Sequence, residues 1–399
     1  MAQVPPWIWK IRSARSTPWL SDAARSAPLA KLAHSPGSST RRAQRTDSPS
    51  VSHLEATVLI PTCGRIDKLR ECVRLLSRQT IDPSQFEVLI GADGLDLGVE
   101  HVVREFWTGP GENLVVRAFP KQGQAAVRNA LLPQVRGRTL IFLNDDMRPE
   151  HTLVSAHLEA QAQLSTDAQP TIVIGESPWI VTEPDRLFDL MIRETSMVFF
   201  YDQMHRARNA TSRDWGFRHA WMLNLSIPTW AVRAVGGLSV FPSAYGFEDD
   251  DLAWRLHEQF GSQVRYRPDA VAWHDHRYEP MDYLAREYRL GYAALGFARQ
   301  SPQCARALFG RDLLDPAERE YTRLFVERER VGAERAMTPF CQLANMPATL
   351  AQGPFGEQLL SVCYSQHLLL KRWCWRSGLL DAFTGCEQRD VSGPFVLAA

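Results

Sequence analysis

Three short segments of the chain concentrate side chains that could bind a metal ion or transfer a proton. They are the Asn-Asp-Asp of residues 144–146, the Glu-Asp-Asp-Asp of residues 248–251 and the His-Asp-His of residues 274–276. Carboxylate oxygens suit Mg²⁺ and Mn²⁺, and carboxylates and imidazoles are common proton-transfer groups in enzymes. The three segments can act together only if the fold brings them to one place.

The acids Asp145 and Asp146 come directly after the wholly apolar run of residues 139–143. Two carboxylates at the end of a buried strand repel each other unless a cation or a set of hydrogen-bond donors compensates them. A Mg²⁺ or Mn²⁺ ion, held by these acids and by substrate phosphates, would provide that compensation. The alternative is an Asx turn, or a cap on a helix that begins near Pro149.

The acids of residues 248–251 precede Leu252, Leu256 and Phe260, which recur every four residues up to Gly261. This spacing predicts a helix whose first turn is acidic. The helix dipole favours one or two acids there, whereas four exceed what a cap needs. We therefore expect at least one to face the sheet as a general base. Capping combined with solvation is the alternative.

His274 and His276 are two residues apart, so both imidazoles point to the same side if the segment is extended. Histidine is a frequent metal ligand and the usual base at neutral pH. An incidental pair on the protein surface is the alternative.

Alternating strands and helices are predicted to position these segments. Apolar runs at residues 57–61, 86–91, 114–116 and 139–143 predict strands, and residues 124–132 predict one of the intervening helices. The pattern is typical of a doubly wound, mostly parallel α/β sheet. Ligands bind beyond the carboxyl ends of such strands, where the sequence places Pro61, Thr62, Asp93, Asp145 and Asp146.

Composition restricts the class of protein. The 399 residues include 45 basic and 45 acidic side chains, and this balance argues against a nucleic-acid-binding protein. Seven scattered cysteines, with no Cys-x-x-Cys pair, favour a reducing compartment, so a cytoplasmic location is predicted. Residues 359–375 mix Leu, aromatic and basic side chains, which suits a packed amphipathic helix or peripheral contact with the inner face of a membrane.

Five motifs, in order along the chain, resemble the inverting glycosyltransferases of family 2, which have the GT-A fold. They are Val-Leu-Ile-Pro-Thr-Cys-Gly-Arg at 58–65, Ala-Asp-Gly at 92–94, Gln-Ala-Ala-Val-Arg-Asn at 124–129, Asn-Asp-Asp at 144–146, and Val-Gly-Gly-Leu at 235–238 with Gly-Phe-Glu-Asp-Asp-Asp-Leu at 246–252. The last motif is the most specific, and the resemblance covers residues 57–291. Ala92 and Asn144 stand where the family has the first acids of its Asp-Asp-Gly-Ser and DXD motifs.

The resemblance implies a role for each motif residue. A nucleotide-sugar site would be formed by Pro61, Thr62, Arg65, Asp93, Arg128, Asn129 and, near the ribose, Asp145. Asp146 would bind a divalent cation, Mn²⁺ or Mg²⁺, together with His276 or His274; the spacing to the helix near Tyr283 favours His276. Asp249 would be the general base, with Glu248 near the acceptor. An aspartate has a reference pKa of about 4, so Asp249 is expected to be ionised at neutral pH.

The implied reaction is transfer of a sugar from a nucleotide diphosphate sugar, with a UDP-sugar expected, to an acceptor hydroxyl with inversion. The acceptor would be a glycan, a lipid-linked glycan or a small molecule, as in polysaccharide biosynthesis. The implied domain covers residues 56–280, with a nucleotide-sugar half at 56–150 and an acceptor half at 171–276. A helical region at 281–399 follows it. Residues 1–55, rich in Ser, Pro, Ala and Arg, are predicted to be disordered, although their composition also suits a transit peptide.

Other classes of protein fit parts of the same pattern. A nucleotidyltransferase could use a similar sheet and paired acids, and its release of pyrophosphate would distinguish it. A metal-dependent hydrolase could use the His pair to activate water, and it would turn over a phosphoester without a sugar donor. A non-catalytic nucleotide- or glycan-binding module would bind the donor without transferring or hydrolysing it.

Overall fold

The described chain up to His274 contains eight strands, which form one mixed sheet. The computed structural model describes residues 54–94, 98–243 and 245–389, so the predicted disorder of residues 1–55 falls almost entirely outside the described residues. The strands are β1 (Ala56–Thr62), β2 (Phe86–Asp93), β3 (Leu114–Phe119), β4 (Thr139–Leu143), β5 (Met147–Pro149), β6 (Ile172–Glu176), β7 (Asn224–Pro228) and β8 (Val264–His274).

The strand order is β3-β2-β1-β4-β7-β6-β8-β5. The strands β1 to β4 are parallel to one another, β7 is antiparallel to both β4 and β6, β6 and β8 are parallel, and β5 is antiparallel to β8. The sheet is therefore mixed and mostly parallel, which confirms the predicted α/β class with a helical C-terminal region.

Twelve α-helices are described. They are α1 (Ile66–Leu76), α2 (Val99–Phe106), α3 (Gln124–Leu131), α4 (Leu153–Leu164), α5 (Leu187–Glu194), α6 (Tyr201–Arg206), α7 (Thr229–Ala234), α8 (Glu248–Phe260), α9 (Pro280–Gln300), α10 (Pro302–Phe309), α11 (Pro316–Ala344) and α12 (Gly356–Thr384). None of them is both long enough and apolar enough to span a bilayer.

The central strands β1, β2 and β4 are buried along their whole length. A parallel strand covered by helices on both faces must be apolar on both sides, which explains the continuous runs of Val, Leu, Ile and Phe. These strands end at Thr62, Asp93 and Leu143. The polar residues that follow them therefore lie at one edge of the sheet.

The central strand β7 was not predicted from the sequence because two of its five residues, Asn224 and Ser226, are polar. Both side chains are buried and contact His157 of α4, whose Nδ1 lies 2.9 Å from Ser226 Oγ and whose Nε2 lies 2.9 Å from Asn224 Oδ1. Burial lowers the pKa of His157 to about 4, so the ring is neutral. A hydrogen-bonded polar cluster thus replaces apolar packing behind this strand.

Glycines allow the helices α9 and α12 to pack closely. A Cβ atom built on Gly291 would lie 1.8 Å from the carbonyl oxygen of Trp375, and one on Gly378 would lie 2.0 Å from that of Tyr288. Both obstacles are backbone atoms, so no side-chain rotation can relieve them. The α12 face that carries Leu370, Cys374 and Leu379 is buried, as a packed amphipathic helix requires.

We expect Gly378→Ala to lower the free energy of unfolding by about 1–3 kcal/mol, because the added methyl group forces α9 and α12 apart. Chemical denaturation with a helix signal measures the effect. Gly332→Ala is the matched control, since a Cβ at Gly332 in α11 meets nothing within 4 Å. Alanine there should raise stability by about 0.5–1 kcal/mol through helix propensity. Equal stabilities for the two variants would contradict close packing at Gly378.

Candidate active site

The ends of β1, β4 and β8 bring two of the three chemical segments together. Thr62 ends β1, and its Oγ1 donates a hydrogen bond of 2.7 Å to Asp145 Oδ2. Asp145 and Asp146 follow β4 and are buried. The backbone N–H of Asp275, just after β8, donates to the carbonyl oxygen of Asp146 at 2.8 Å. The β8 end is therefore fixed beside the acids.

Asp146, His274 and His276 form a compact cluster of possible metal ligands. His274 Nε2 lies 3.6 Å from Asp146 Oδ2, and His276 Nδ1 lies 3.4 Å from the same oxygen. One ligand atom from each residue fits within 4.8 Å of the others. Asp146 Oδ1 and His274 Nδ1 are buried without a hydrogen-bond partner. Unsatisfied buried polar atoms are rare, and two of them in an Asp-His-His set fit the predicted divalent cation.

The two neighbouring carboxylates differ electrostatically. Burial raises the pKa of Asp145 even though Arg65 opposes it. Burial acts in the same direction on Asp146, but His274, His276 and Arg65 outweigh it and hold the pKa of that carboxyl well below its usual value. Burial lowers the pKa of His274, which favours the neutral ring that binds metals.

Arg65 lies over both acids. Its guanidinium contacts Asp145 through Nη2 and through Nε, the latter at 3.3 Å, and it contacts Asp146 Oδ2 through Nη1 at 2.5 Å. The Arg65 side chain remains 41% exposed, whereas both carboxylates are buried. The resemblance assigned Arg65 to a nucleotide site, and the structure shows its guanidinium in contact with Asp145 and Asp146.

Asp93, at the end of β2, organises the segment before α3. Its carboxylate accepts hydrogen bonds from the backbone N–H groups of Gln122 at 2.7 Å and Gly123 at 3.2 Å, and it lies 3.0 Å from Lys121 Nζ. Burial opposes ionisation of Asp93, but these donors lower its pKa overall. Pro61 is buried in β1 opposite Gly91 of β2.

Asn129 ties α3 to the loop before α8. Its Nδ2 donates to the carbonyl oxygen of Leu238 at 2.7 Å, and its Oδ1 accepts from the Leu238 N–H at 2.8 Å. Gly237 precedes this contact with φ +79°, and a Cβ there would lie 2.7 Å from Asn129 Oδ1. The observed contacts of Asn129 therefore position the loop.

The third chemical segment, residues 248–251, forms the first turn of α8 as predicted. Phe247 precedes it at φ +71°, the one non-glycine residue with positive φ among the described residues. Such a conformation is strained in an L-residue and persists only when packing enforces it. The Phe247 ring is buried and stacks on Phe297 of α9, with centroids 4.7 Å apart. The α9 helix thus helps to fix where the acidic turn begins.

The four acids have different surroundings. Asp251 accepts from Ser239 Oγ at 2.6 Å, Ser301 Oγ at 2.5 Å and Arg255 Nε at 2.7 Å, so it is a structural anchor. Glu248 is buried and accepts from Gln124 Nε2 at 3.0 Å. Asp249 and Asp250 are half-buried. Glu248 and Asp249, the two acids that the resemblance singled out, are therefore not held by an anchoring set of donors like that of Asp251.

Burial perturbs these acids. Together with the neighbouring Asp249 charge, it raises the pKa of Glu248 to about 7. It also raises the pKa of Asp249, although hydrogen bonds from backbone N–H groups and the charge of Arg128 act against the rise. The pKa of Asp249 therefore lies above the ordinary aspartate value, because the α8 turn is desolvated. Raised carboxyl pKa values are typical of proton-transfer sites.

Arg128 connects Asn144, the residue directly before the acids that follow β4, with the acidic turn of α8. The guanidinium is 2% exposed; Nη2 donates to Asn144 Oδ1 at 3.0 Å and Nη1 to Gln124 Oε1 at 3.3 Å. Since Gln124 also contacts Glu248, a continuous chain of hydrogen bonds runs from residue 144 to residue 248. Burial lowers the pKa of Arg128, and the charges of Glu248, Asp249 and Asp145 act against that decrease.

Two clefts adjoin these groups. One, of about 200 Å³, is lined by residues from the α3 and α8 N-termini and the loop between α7 and α8, namely Gln122, Gly123, Ala125, Ser239, Val240, Phe241, Tyr245, Gly246 and Glu248. The other, of about 280 Å³, adjoins His276 and is lined in part by Trp179, Asp189, Arg193 and Tyr278. The acids of α8 and the metal-ligand cluster therefore each face open space.

Sequence reasoning missed Gln124, Trp179 and Tyr278. Gln124 lies four residues before Arg128, so helical spacing places both on one face. Tyr278 lies two residues after His276, and the centroids of their rings are 4.3 Å apart. In an extended segment residues two apart lie on the same side, so the sequence could have indicated this contact. No local signal identifies Trp179, whose ring lies 4.2 Å from that of His274.

A parallel strand-helix unit thus carries acids at the carboxyl ends of its strands, and a second acidic turn follows it in the chain. Residues 57–220 match the sequence model described as Glycosyl transferase family 2. Residues 57–220 are therefore similar to the family 2 glycosyltransferases, and the predicted resemblance is confirmed over that region. The matched region includes Asp145 and Asp146, whereas α8 and β8 lie beyond it.

Known proteins give further similarities. The chain is 28% identical over 263 residues to a pre-mycofactocin glycosyltransferase of Mycobacterium tuberculosis, covering 63% of this chain and 49% of that protein. It is 26% identical over 262 residues to the uncharacterized glycosyltransferase YfnE of Bacillus subtilis, covering 55% and 64%. The chain thus spans about half the length of the mycobacterial relative. Among solved structures, the mannosyltransferase PcManGT of Pyrobaculum calidifontis aligns over 95% of this chain and 92% of its own, with 15% identity and a TM-score of 0.49.

The raised pKa of Glu248 predicts a pH-dependent stability. Because folded Glu248 holds its proton up to a pH of about 7, against 4.5 for the ordinary side chain, its contribution to stability is fully present below about pH 4.5 and is lost as pH rises towards 7. Glu248→Gln mimics the protonated form. We expect it to exceed the parent in stability by up to about 3 kcal/mol at pH 8, and to match it at pH 4.5.

Denaturation curves at both pH values measure this difference. Glu258→Gln is the matched control, since Glu258 belongs to the same helix and is exposed. If Glu248→Gln is no more stable than the parent at pH 8, Glu248 is not held in a desolvated site.

Proposed function

We propose that this protein is a metal-dependent glycosyltransferase that moves a sugar from a nucleotide diphosphate sugar to an acceptor hydroxyl, with inversion at the anomeric carbon. The observation that carries the proposal is the hydrogen-bonded chain through Arg128, which runs from Asn144, directly before Asp145 and Asp146, to Glu248 in the acidic turn of α8. The reaction needs two such groups: one near the diphosphate that leaves and one near the hydroxyl that attacks.

On the donor side, the carboxyl ends of β1, β2 and β4 offer the surface on which nucleotides bind in open α/β sheets. We assign the nucleotide to Pro61, Thr62, Arg65, Asp93, Arg128, Asn129 and Asp145, with a UDP-sugar as the expected donor. Asp145, fixed by Thr62, would face the ribose. Asn129 would act indirectly, since its amide already holds Leu238.

Asp146, His274 and His276 would hold the divalent cation, and both histidines are assigned because each lies within 3.6 Å of Asp146 Oδ2. Two imidazoles in the donor set favour Mn²⁺ over Mg²⁺, which prefers oxygen ligands. The ion would supply Lewis-acid stabilisation of the diphosphate. The chain itself contributes an ionised Asp146 and a neutral His274.

On the acceptor side, Asp249 would accept the proton of the attacking hydroxyl, and Glu248 would lie beside the acceptor. Asp249 is half-buried and its pKa is raised, so it is a stronger base than a solvated aspartate. Arg128 stabilises the ionised form. One displacement by the deprotonated hydroxyl inverts the anomeric centre. A glycan, a lipid-linked glycan or a small molecule would be the acceptor.

Asp249→Asn tests the base. We expect kcat to fall by about 10²–10⁴, the usual contribution of a general base, while UDP affinity is unchanged. Single-turnover kinetics with a panel of UDP-sugars and calorimetric titration of UDP measure the two effects. Asp250→Asn is the matched control. Burial raises the pKa of Asp250, so this side chain already favours its neutral form and the substitution should change little. Unchanged turnover in Asp249→Asn would remove Asp249 from this role.

Asp146→Ala tests the metal site. We expect the parent to bind UDP more tightly with Mn²⁺ than without it, and the variant to lose that enhancement because an anionic ligand is missing. Titration of UDP with and without Mn²⁺ measures the difference. Asp67→Ala is the control, since Asp67 is an exposed acid in α1. If Asp146→Ala retains the full Mn²⁺ enhancement, the assignment is wrong.

A further inference from the structure

Arg65 binds both acids of the proposed donor site at once. Its Nη2 and Nε atoms contact the two oxygens of Asp145, and its Nη1 contacts Asp146 Oδ2 at 2.5 Å. The oxygen Asp146 Oδ2 is also the one nearest His274 and His276. A guanidinium and a divalent cation would thus compete for the same carboxylate.

Electrostatics makes the competition strong. Two buried carboxylates on adjacent residues require a compensating positive charge, and Arg65 already provides one. A divalent ion that enters the cluster would lie within a few ångströms of the guanidinium, where like charges repel strongly because the site is partly desolvated. Metal and Arg65 therefore disfavour each other at Asp146.

Few contacts besides its two ion pairs hold the Arg65 side chain in place. Its side chain is 41% exposed, and it follows Gly64, whose φ of +77° is open to glycine and whose surroundings contain nothing within 4 Å of a Cβ position. Helix α1 begins directly after Arg65 with no side-chain N-cap hydrogen bond. The guanidinium can therefore turn outwards without disrupting a buried contact other than the two ion pairs.

We propose that Arg65 compensates Asp145 and Asp146 until a donor arrives, and that the donor diphosphate then draws the guanidinium away, so that metal and nucleotide bind cooperatively. Arginine pairs with phosphate oxygens in the bidentate geometry that it uses with carboxylates, so the diphosphate offers an equivalent partner. The inference deepens the proposed function and depends on it. By linkage, UDP raises the affinity for Mn²⁺ by the same factor by which Mn²⁺ raises the affinity for UDP.

Mn²⁺ binding to the full chain, followed by the electron paramagnetic resonance signal of free Mn²⁺, tests the proposal without turnover. In the parent we expect weak binding of Mn²⁺ alone, tightened at least about tenfold by saturating UDP. In Arg65→Gln we expect Mn²⁺ alone to bind at least about tenfold more tightly than in the parent, because the competing charge is gone. UDP should then add about threefold or less.

Two further variants sharpen the comparison. Arg70→Gln removes a guanidinium from helix α1, which begins directly after Arg65. Among the described acids Arg70 pairs only with the exposed Asp67, so this variant should behave as the parent. Arg65→Lys keeps one charge but cannot contact both acids, so it should give intermediate Mn²⁺ affinity. If Arg65→Gln does not fold, the lysine variant decides by the same measurement.

The outcomes separate the inference from the proposed function. If the parent binds UDP and Mn²⁺ cooperatively but Arg65→Gln, or the lysine variant in its place, binds Mn²⁺ alone no more tightly than the parent, the competition does not exist. If the parent binds no UDP in the presence of Mn²⁺, the proposed function fails and the inference fails with it.

Discussion

The buried charge of Arg128 is the constraint on which the site depends. A guanidinium that is almost fully removed from water needs anions and acceptors around it, and this one donates to Asn144 and Gln124 while no carboxylate of the described chain forms an ion pair with it. Its charge is balanced at longer range by Asp145 and by the acids of α8. The two acidic groups are therefore held around a common cation, and neither can move far without exposing or isolating it.

This arrangement gives neighbouring acids different tasks. Asp145 and Asp146 are adjacent in sequence, yet their pKa values shift in opposite directions. Burial raises the pKa of Asp145. At Asp146, His274, His276 and Arg65 outweigh burial and lower the pKa. In the α8 turn, Asp251 is saturated with donors, whereas Glu248 has a pKa near 7. In the proposed function, carboxylates would thus serve as metal ligand or proton acceptor, while Asp251 is an anchor, according to the partners of each.

The sequence was sufficient to predict the parts of the fold that rest on local patterns. The strands β1, β2 and β4 follow from mainly apolar runs, and α8 follows from its four-residue spacing and Gly261. The strand β7 was not predicted, because its polar residues form hydrogen bonds with His157, which is distant in sequence. For the site, the rule that ligands bind at strand ends located Asp145 and Asp146. Contacts between remote residues, such as Arg65 with Asp146 and Arg128 with Asn144, are tertiary and leave no local signature.

The Phe247–Phe297 stack has a consequence for the evolution and engineering of this chain. The acidic turn of α8 is held from the C-terminal side twice, by the ring of Phe297 and by the hydroxyl of Ser301, both beyond residue 280. A chimera that exchanged the C-terminal helices for those of another protein would therefore alter the support of Glu248 and Asp249 as well as the exchanged surface. Successful grafts should carry these two contact residues with the recipient domain.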